Sequence, residues 1–306
     1  MSLLEKEWYI QAPWGRICII AWGDCFDPPV LLCHGLIDSA VSFRPLVSLL
    51  PKKFYYIGME LPGHGKSDRL PPGLMVSSHD MIYSMEAVVK HFRWERFMFI
   101  GHSIGGVFGK LYNIAYPGKI SRLIELDPIN FTGITPDAFP KWYKQFFADY
   151  YANYAKYNTP VEKGPVLKWK DVLATLMKNR GISEEHAGAT LRRLTEPAGD
   201  GLVRYTYDMR TKIINGPPFS PEHIKKIFTS VKTPILTIAA RNSLEKKLFK
   251  NTAFLLDEGM YPGGNYRMRR VEGGHDVHVS NPERLSNYVS HFILYGLDAF
   301  DGKAKL

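Results

Sequence analysis

Cysteine is scarce in this chain of 306 residues: there are three, Cys18, Cys25 and Cys33, an odd set without a CxxC pair. That spacing excludes a disulfide framework and the thiolate cages of structural zinc. Two of the three lie inside apolar runs, so they read as reduced core thiols. Long apolar runs are also missing. Nowhere do 18 consecutive apolar residues occur, so no membrane-spanning helix is expected. The start, "MSLLEKEWYI", sets Glu5, Lys6 and Glu7 where a signal peptide needs an apolar stretch, and secretion is not expected. Internal repeats and low-complexity segments are absent as well.

What is present is the composition of a folded globular protein, with 45% hydrophobic and 23% charged residues. The length allows one large domain with an insertion, or two ordinary ones. The formal net charge is +9, but lysines and arginines are scattered and no zinc-finger, RNP or helix-turn-helix pattern accompanies them. The charge therefore reads as a solvated basic surface suited to an anionic substrate, and nucleic acid is not an expected partner. The chain closes "DGKAKL". Ala304-Lys305-Leu306 varies the Ser-Lys-Leu peroxisomal address by one residue, which makes the peroxisomal import receptor an expected partner and the peroxisome, or else the cytoplasm, the expected location.

Apolar runs at 17–22, 29–35, 54–61, 97–103 and 120–128 have the continuous character of strands buried on both faces of a sheet. Between them, "HDMIYSMEAVVKHF" sets Ile82, Met85, Val88, Val89 and Phe92 on one helical face. Strand and helix alternating in this way predict an α/β fold with a mostly parallel sheet. The pattern changes over residues 130–231, where "FPKWYKQFFADYYANYAKY" carries aromatics at helical spacing on one broad face. Strand character resumes with "TPILTIAA" and "YRMRRV", and "NPERLSNYVSHFILYGL" reads as a closing helix. The expected organisation is a core of 1–129 and 232–306 interrupted by a helical cap at 130–231.

The chemistry is carried by "FIGHSIGG". Gly101-His102-Ser103-Ile104-Gly105 is G-x-S-x-G between an apolar strand and a helix. Such a turn exposes the serine oxygen above the sheet edge, and side chains at 101 or 105 would collide with neighbouring elements. The loop after His34-Gly35 offers the N–H of Leu36, which with the N–H of Ile104 makes an oxyanion hole. The Gly-Gly of "VEGGHDVH" delivers His275 as a base. His278 competes with it, whereas His102 and His64 read as structural. No third ligand stands at recognisable spacing from His275 and His278, so no metal and no cofactor is expected.

Taken in chain order, the elbow, the His-Gly loop, "ELPGHGKSD" and "GGHDVH" resemble the α/β-hydrolase superfamily. Within it, "HGLIDSAVSFRPL" and "GGHDVHVSNPE" are similar to the serine hydrolase-like proteins of animals. The resemblance implies an eight-stranded, mainly parallel sheet flanked by helices, with the cap inserted between strands six and seven. In relatives with such a cap the elbow residue is Asp in epoxide hydrolases and haloalkane dehalogenases; Ser103 points instead to acyl transfer to water.

One part is missing. The triad acid of such folds commonly stands after strand seven, where this chain reads Ala240-Arg241-Asn242-Ser243 without a carboxylate. Some members place the acid after strand six, and Asp127 ends that strand here. Asn242 as a neutral substitute, Glu125 and Asp257 are the alternatives. The expected function is hydrolysis of a small or medium hydrophobic ester, or a thioester, by Ser103, His275 and Asp127. Trp142, Tyr143, Phe146 and Phe147 of the cap are expected to meet the substrate. A ligand-binding protein on the same scaffold, without turnover, is the alternative.

Overall fold

In the computed structural model, which describes residues 4–129 and 133–301, the chain begins with a charged edge. Strand β1 (Glu5–Ala12) is exposed at Glu5, Lys6 and Glu7 and buries only Ile10 and Ala12. Charges of this kind discourage pairing with another chain. β1 turns back antiparallel onto β2 (Gly15–Trp22), which is antiparallel to β4 (Tyr55–Met59). All further pairings are parallel, through β3 (Pro29–Cys33), β5 (Phe97–His102), β6 (Ile120–Leu126), β7 (Ile235–Ala240) and β8 (Tyr266–Val271). The eight strands lie in the order β1-β2-β4-β3-β5-β6-β7-β8.

The central strands β3 and β4 and most of β5 are apolar because helices cover both faces of the sheet. The helices Ser78–Phe92 and Ile104–Ala115 pack on one face, and Glu283–Tyr295 packs on the other. Ser78–Phe92 starts at a capping box, with Ser77 and Asp80 each satisfying the other's backbone N–H, and ends where Arg93 takes a left-handed conformation. Cys18 and Cys33 are buried free thiols, as their apolar surroundings predict. Cys25 is exposed, because it sits in the polar turn after β2 rather than in a strand.

Residues 133–231 are inserted between β6 and β7. They are not wholly helical. Besides the helices Trp169–Arg180, Glu184–Leu194 and Pro221–Thr229 they hold a three-stranded antiparallel sheet of Leu167–Lys168, Leu202–Tyr205 and Thr195–Gly199. Strands this short, one of them containing Pro197 and Gly199, leave no readable alternation. The aromatic stretch is not one helix either. It breaks into Phe139–Lys144, a wide turn at Gln145–Asp149, and the short pieces Tyr150–Ala152 and Tyr154–Tyr157.

Arginines fasten this segment to the core. Arg193 pairs with buried Glu60 at 2.6 Å and with Glu7 at 2.5 Å. Arg210 donates to the carbonyls of Leu70, Pro71 and Leu74 while paired with Asp208.

Candidate active site

The site is built at the C-terminal ends of β5, β6 and β8. Ser103 follows β5 with φ 54° and ψ −127°, a strained conformation, and caps the helix Ile104–Ala115. Only glycine fits on either side of it. A Cβ on Gly101 would come within 2.4 Å of the Gly106 nitrogen, and one on Gly105 within 2.3 Å of the Cys33 carbonyl oxygen. Beneath the turn, Lys110 and Glu125 form a fully buried ion pair at 2.9 Å, and Thr237 donates to the same carboxylate oxygen. Glu125 is thus engaged below the sheet edge, and Asp257 caps Gly259 at the surface.

Asp127 begins where β6 ends. Its backbone N–H bonds to Ile238 O, and its φ of 46° turns the side chain toward β7. The carboxylate is buried and meets three donors. Ala240 N–H reaches Oδ1 at 2.9 Å, Ser243 Oγ–H reaches Oδ2 at 2.5 Å, and His275 Nδ1 reaches Oδ2 at 2.6 Å. Ser243, which occupies the expected position of the acid, therefore holds the carboxylate supplied by the neighbouring strand. Asn242 is exposed and uses its backbone N–H on Gly273 O, while the imidazole faces Asp127.

His275 arrives on the loop after β8, which turns at Gly273 with φ 131°, and its side chain is 29% exposed. Its backbone carbonyl accepts a hydrogen bond from His102 Nε2 at 3.0 Å, which fixes the His102 tautomer with the proton on Nε2. The His102 ring lies 4.0 Å from that of His278. Burial pushes His102 well below its usual value and His278 down to about 3, so both are neutral imidazoles. His34 is structural, its Nε2 accepting from Leu61 N–H while Nδ1–H donates to Gly35 O. His64 is buried beside it and pushed down to about 4 by burial.

The loop after β3 closes over the elbow. A Cβ on Gly35 would lie 3.2 Å from Ser103 Cβ, so Leu36, the next residue, stands at the rim of the Ser103 turn. Ile37 has φ 50°, and Asp38 behind it is buried. Asp38, His102 and His278 each offer one metal-ligand type atom, all within 4.8 Å of one another. The cation that Asp38 meets there is Arg180, at 3.1 Å.

A cavity of about 210 Å³ opens beside Ile104, lined by Phe108, Ile134, Trp142, Phe146, Phe219 and Ile224 among others. The four aromatics expected at the substrate are separated. Trp142 and Phe146 line the cavity; Tyr143 and Phe147 turn outward, 55% and 50% exposed. Consecutive residues on a helical path are about 100° apart, which aims the pairs 142/146 and 143/147 in different directions.

A parallel sheet with an antiparallel edge, a Ser elbow and a His loop is the architecture of the α/β hydrolases. The profile of the alpha/beta hydrolase fold matches residues 28–165. Human serine hydrolase-like protein 2 is 30% identical over 303 residues, covering 95% of this chain and 94% of the human one. The chain belongs to the serine hydrolase-like family of α/β hydrolases. Among solved structures, a hypothetical protein of Pseudomonas aeruginosa PAO1 superposes with a TM-score of 0.79 at 23% identity, covering 95% of this chain and all of that one. A thioesterase domain from the curacin biosynthetic pathway superposes with a TM-score of 0.73 at 18% identity, covering 94% and 99%.

Proposed function

We propose that this hydrolase cleaves small or medium hydrophobic carboxylic esters, or the corresponding thioesters, through an acyl-enzyme on Ser103. The reading rests above all on the Asp127 carboxylate, anchored by Ser243 and Ala240 N–H and bonded to His275 Nδ1 on the sheet edge where the Ser103 elbow lies. Nδ1–H donates to Asp127, which leaves Nε2 as the base. Nε2 takes the Ser103 hydroxyl proton as Oγ attacks the acyl carbon, and returns it to the leaving oxygen or sulfur when that bond breaks. Water then attacks the acyl-enzyme, losing its proton to the same Nε2, and Ser103 leaves with that proton.

In this reading the N–H groups of Leu36 and Ile104 meet the oxyanion, each contributing about 3 to 4 kcal/mol in the transition state. The acyl group lies in the apolar cavity beside Ile104, whose volume is below the usual range for drug-sized ligands, and hence small or medium chains are favoured. The insertion serves as a lid that excludes water from it.

Labelling with a fluorophosphonate tests the reading. The folded chain is expected to form an adduct on Ser103 and to hydrolyse members of an ester and thioester panel, and Ser103→Ala is expected to do neither. A folded protein that forms no adduct leaves only ligand binding. The address Ala304-Lys305-Leu306 lies outside the described residues; we propose it as a peroxisomal import signal. Its removal is expected to leave the chain in the cytoplasm, and unchanged location would exclude the signal.

A further inference from the structure

The geometry points to Arg180 as a positioning residue: one guanidinium from the inserted segment braces the oxyanion loop against the loop of the catalytic histidine. The inference rests on the hydrolase reading above, and makes turnover depend on the lid being seated.

Arg180 is the last residue of the helix Trp169–Arg180, which is stopped by Gly181 at φ 64°. A basic residue at a helix C-terminus is usually solvated and faces the negative end of the dipole. This one turns inward, and its side chain is 15% exposed. Nη2–H donates to Ile37 O at 2.7 Å. Nη1 lies 3.1 Å from Asp38 Oδ1 and 3.5 Å from Asp276 Oδ1.

Ile37 and Asp38 follow Leu36, the oxyanion donor; Asp276 follows His275, the base. The planar fork of arginine can hold such partners in one rigid plane, which a single ammonium cannot. The brace has something to hold. Ile37 is β-branched and left-handed, a conformation its own sterics oppose, so the loop needs an outside partner to keep that carbonyl in place.

Charge works in the same direction. Asp38 and Asp276 are both buried, and burial acts to raise both carboxyls. Arg180 overcomes burial at Asp38 and holds it below the usual range; Asp276 stays raised. Without the guanidinium, the oxyanion loop and the histidine loop would each carry a buried carboxylate lacking its cation. Fastenings elsewhere along the segment, such as Arg193 on Glu60 and Arg210 on the 70–74 carbonyls, touch neither loop. Docking in general and bracing of the site are therefore separable.

The test compares R180A and R180K with the wild type and with R16Q, a surface control whose arginine is 56% exposed and pairs with Asp68, away from both loops. R180A is expected to lose about 10²-fold in kcat, the effect of a misplaced oxyanion donor, with KM little changed. Added guanidinium ion is expected to restore part of the loss, and ammonium ion is not. Amide hydrogen exchange should quicken in 34–39 and 272–278 and stay unchanged in Ile104–Ala115. R180K keeps the charge, is expected to fold, and should show an intermediate kcat.

Wild-type kcat in R180A or R180K overturns the proposal. So does a rise in KM alone, which would make Arg180 a substrate contact, or a general loosening without guanidinium rescue. If R180A does not fold, R180K decides alone. A wild-type chain that neither hydrolyses esters nor takes the fluorophosphonate would instead defeat the hydrolase reading itself.

Discussion

Ser243 Oγ and His275 Nδ1 meet the same oxygen of Asp127, at 2.5 and 2.6 Å. The residue that stands where the acid commonly stands has become a donor to an acid on the adjacent strand. Asp127→Asn is expected to lower kcat by about 10⁴, the loss seen for the same change in a serine protease triad, with the melting temperature little affected. An aspartate at 243 is longer than serine by one atom and can reach toward the same ring nitrogen. D127N/S243D is therefore expected to recover at least about tenfold over D127N, a gain of about 1.4 kcal/mol in the transition state. Equal rates for the two variants would show that position 243 cannot carry the acid.

The division of the aromatics gives a paired prediction. Trp142→Ala enlarges the cavity and is expected to shift preference toward longer or bulkier acyl groups, read as the ratio of kcat/KM across an acyl series. Tyr143→Ala removes a ring that faces away from the cavity and should leave the ratio unchanged. A shift with Tyr143→Ala and none with Trp142→Ala would reverse the assignment of the faces.

Buried histidines set an acid limit on stability. His278 and His64 are held near 3 and 4, and His102 well below its usual value, mainly by burial. Below about pH 6.5 the unfolded chain takes up these protons while the folded chain does not, so stability is full above that pH and falls as pH drops toward 3 to 4. A tenfold difference in proton affinity between the folded and unfolded chain is worth about 1.4 kcal/mol. The melting temperature is expected to fall steeply between pH 6.5 and 4, and less steeply in His64→Gln. A flat profile over that range would contradict the buried neutral rings.

The ion pair under the elbow predicts a non-additive cycle. Lys110→Met leaves Glu125 buried without its cation and is expected to destabilise by about 3 to 5 kcal/mol in denaturant titration. K110M/E125L removes both charges and should regain most of that loss. Additive effects of the two changes would mean that the charges do not depend on each other.

Seven of the eight strands, with the ends that bear Ser103, Asp127 and His275, are legible in the sequence, because buried strands are continuous apolar runs and glycines mark sharp turns; the charged edge strand β1 leaves no such run, and the count of eight is what the resemblance implies. Asp127 is singled out only by the resemblance, since some α/β hydrolases place the acid after strand six, and nothing local distinguishes it from ordinary Asp-Pro turn chemistry. The role of Ser243 is invisible at that level, since its partner lies 116 positions away on another strand. Arg180 stands in none of the motifs read from the sequence, and only tertiary packing turns it inward. The small sheet at Thr195–Gly199 leaves no alternation, and the break at Gln145–Asp149 cannot be foreseen from a run of evenly spaced aromatics.

Of five non-glycine residues with left-handed φ among those described, Ile37, Ser103 and Asp127 all belong to the site. Each such conformation costs about 1 to 3 kcal/mol, so the region is held against its own local preference by the rest of the fold. A library selected for thermal resistance alone should therefore accumulate glycine or asparagine at position 37, and the survivors should be poorer catalysts. Under the proposed mechanism heat tolerance and turnover are set in opposition at one loop, and an engineer who wants both must find the added stability elsewhere in the sheet.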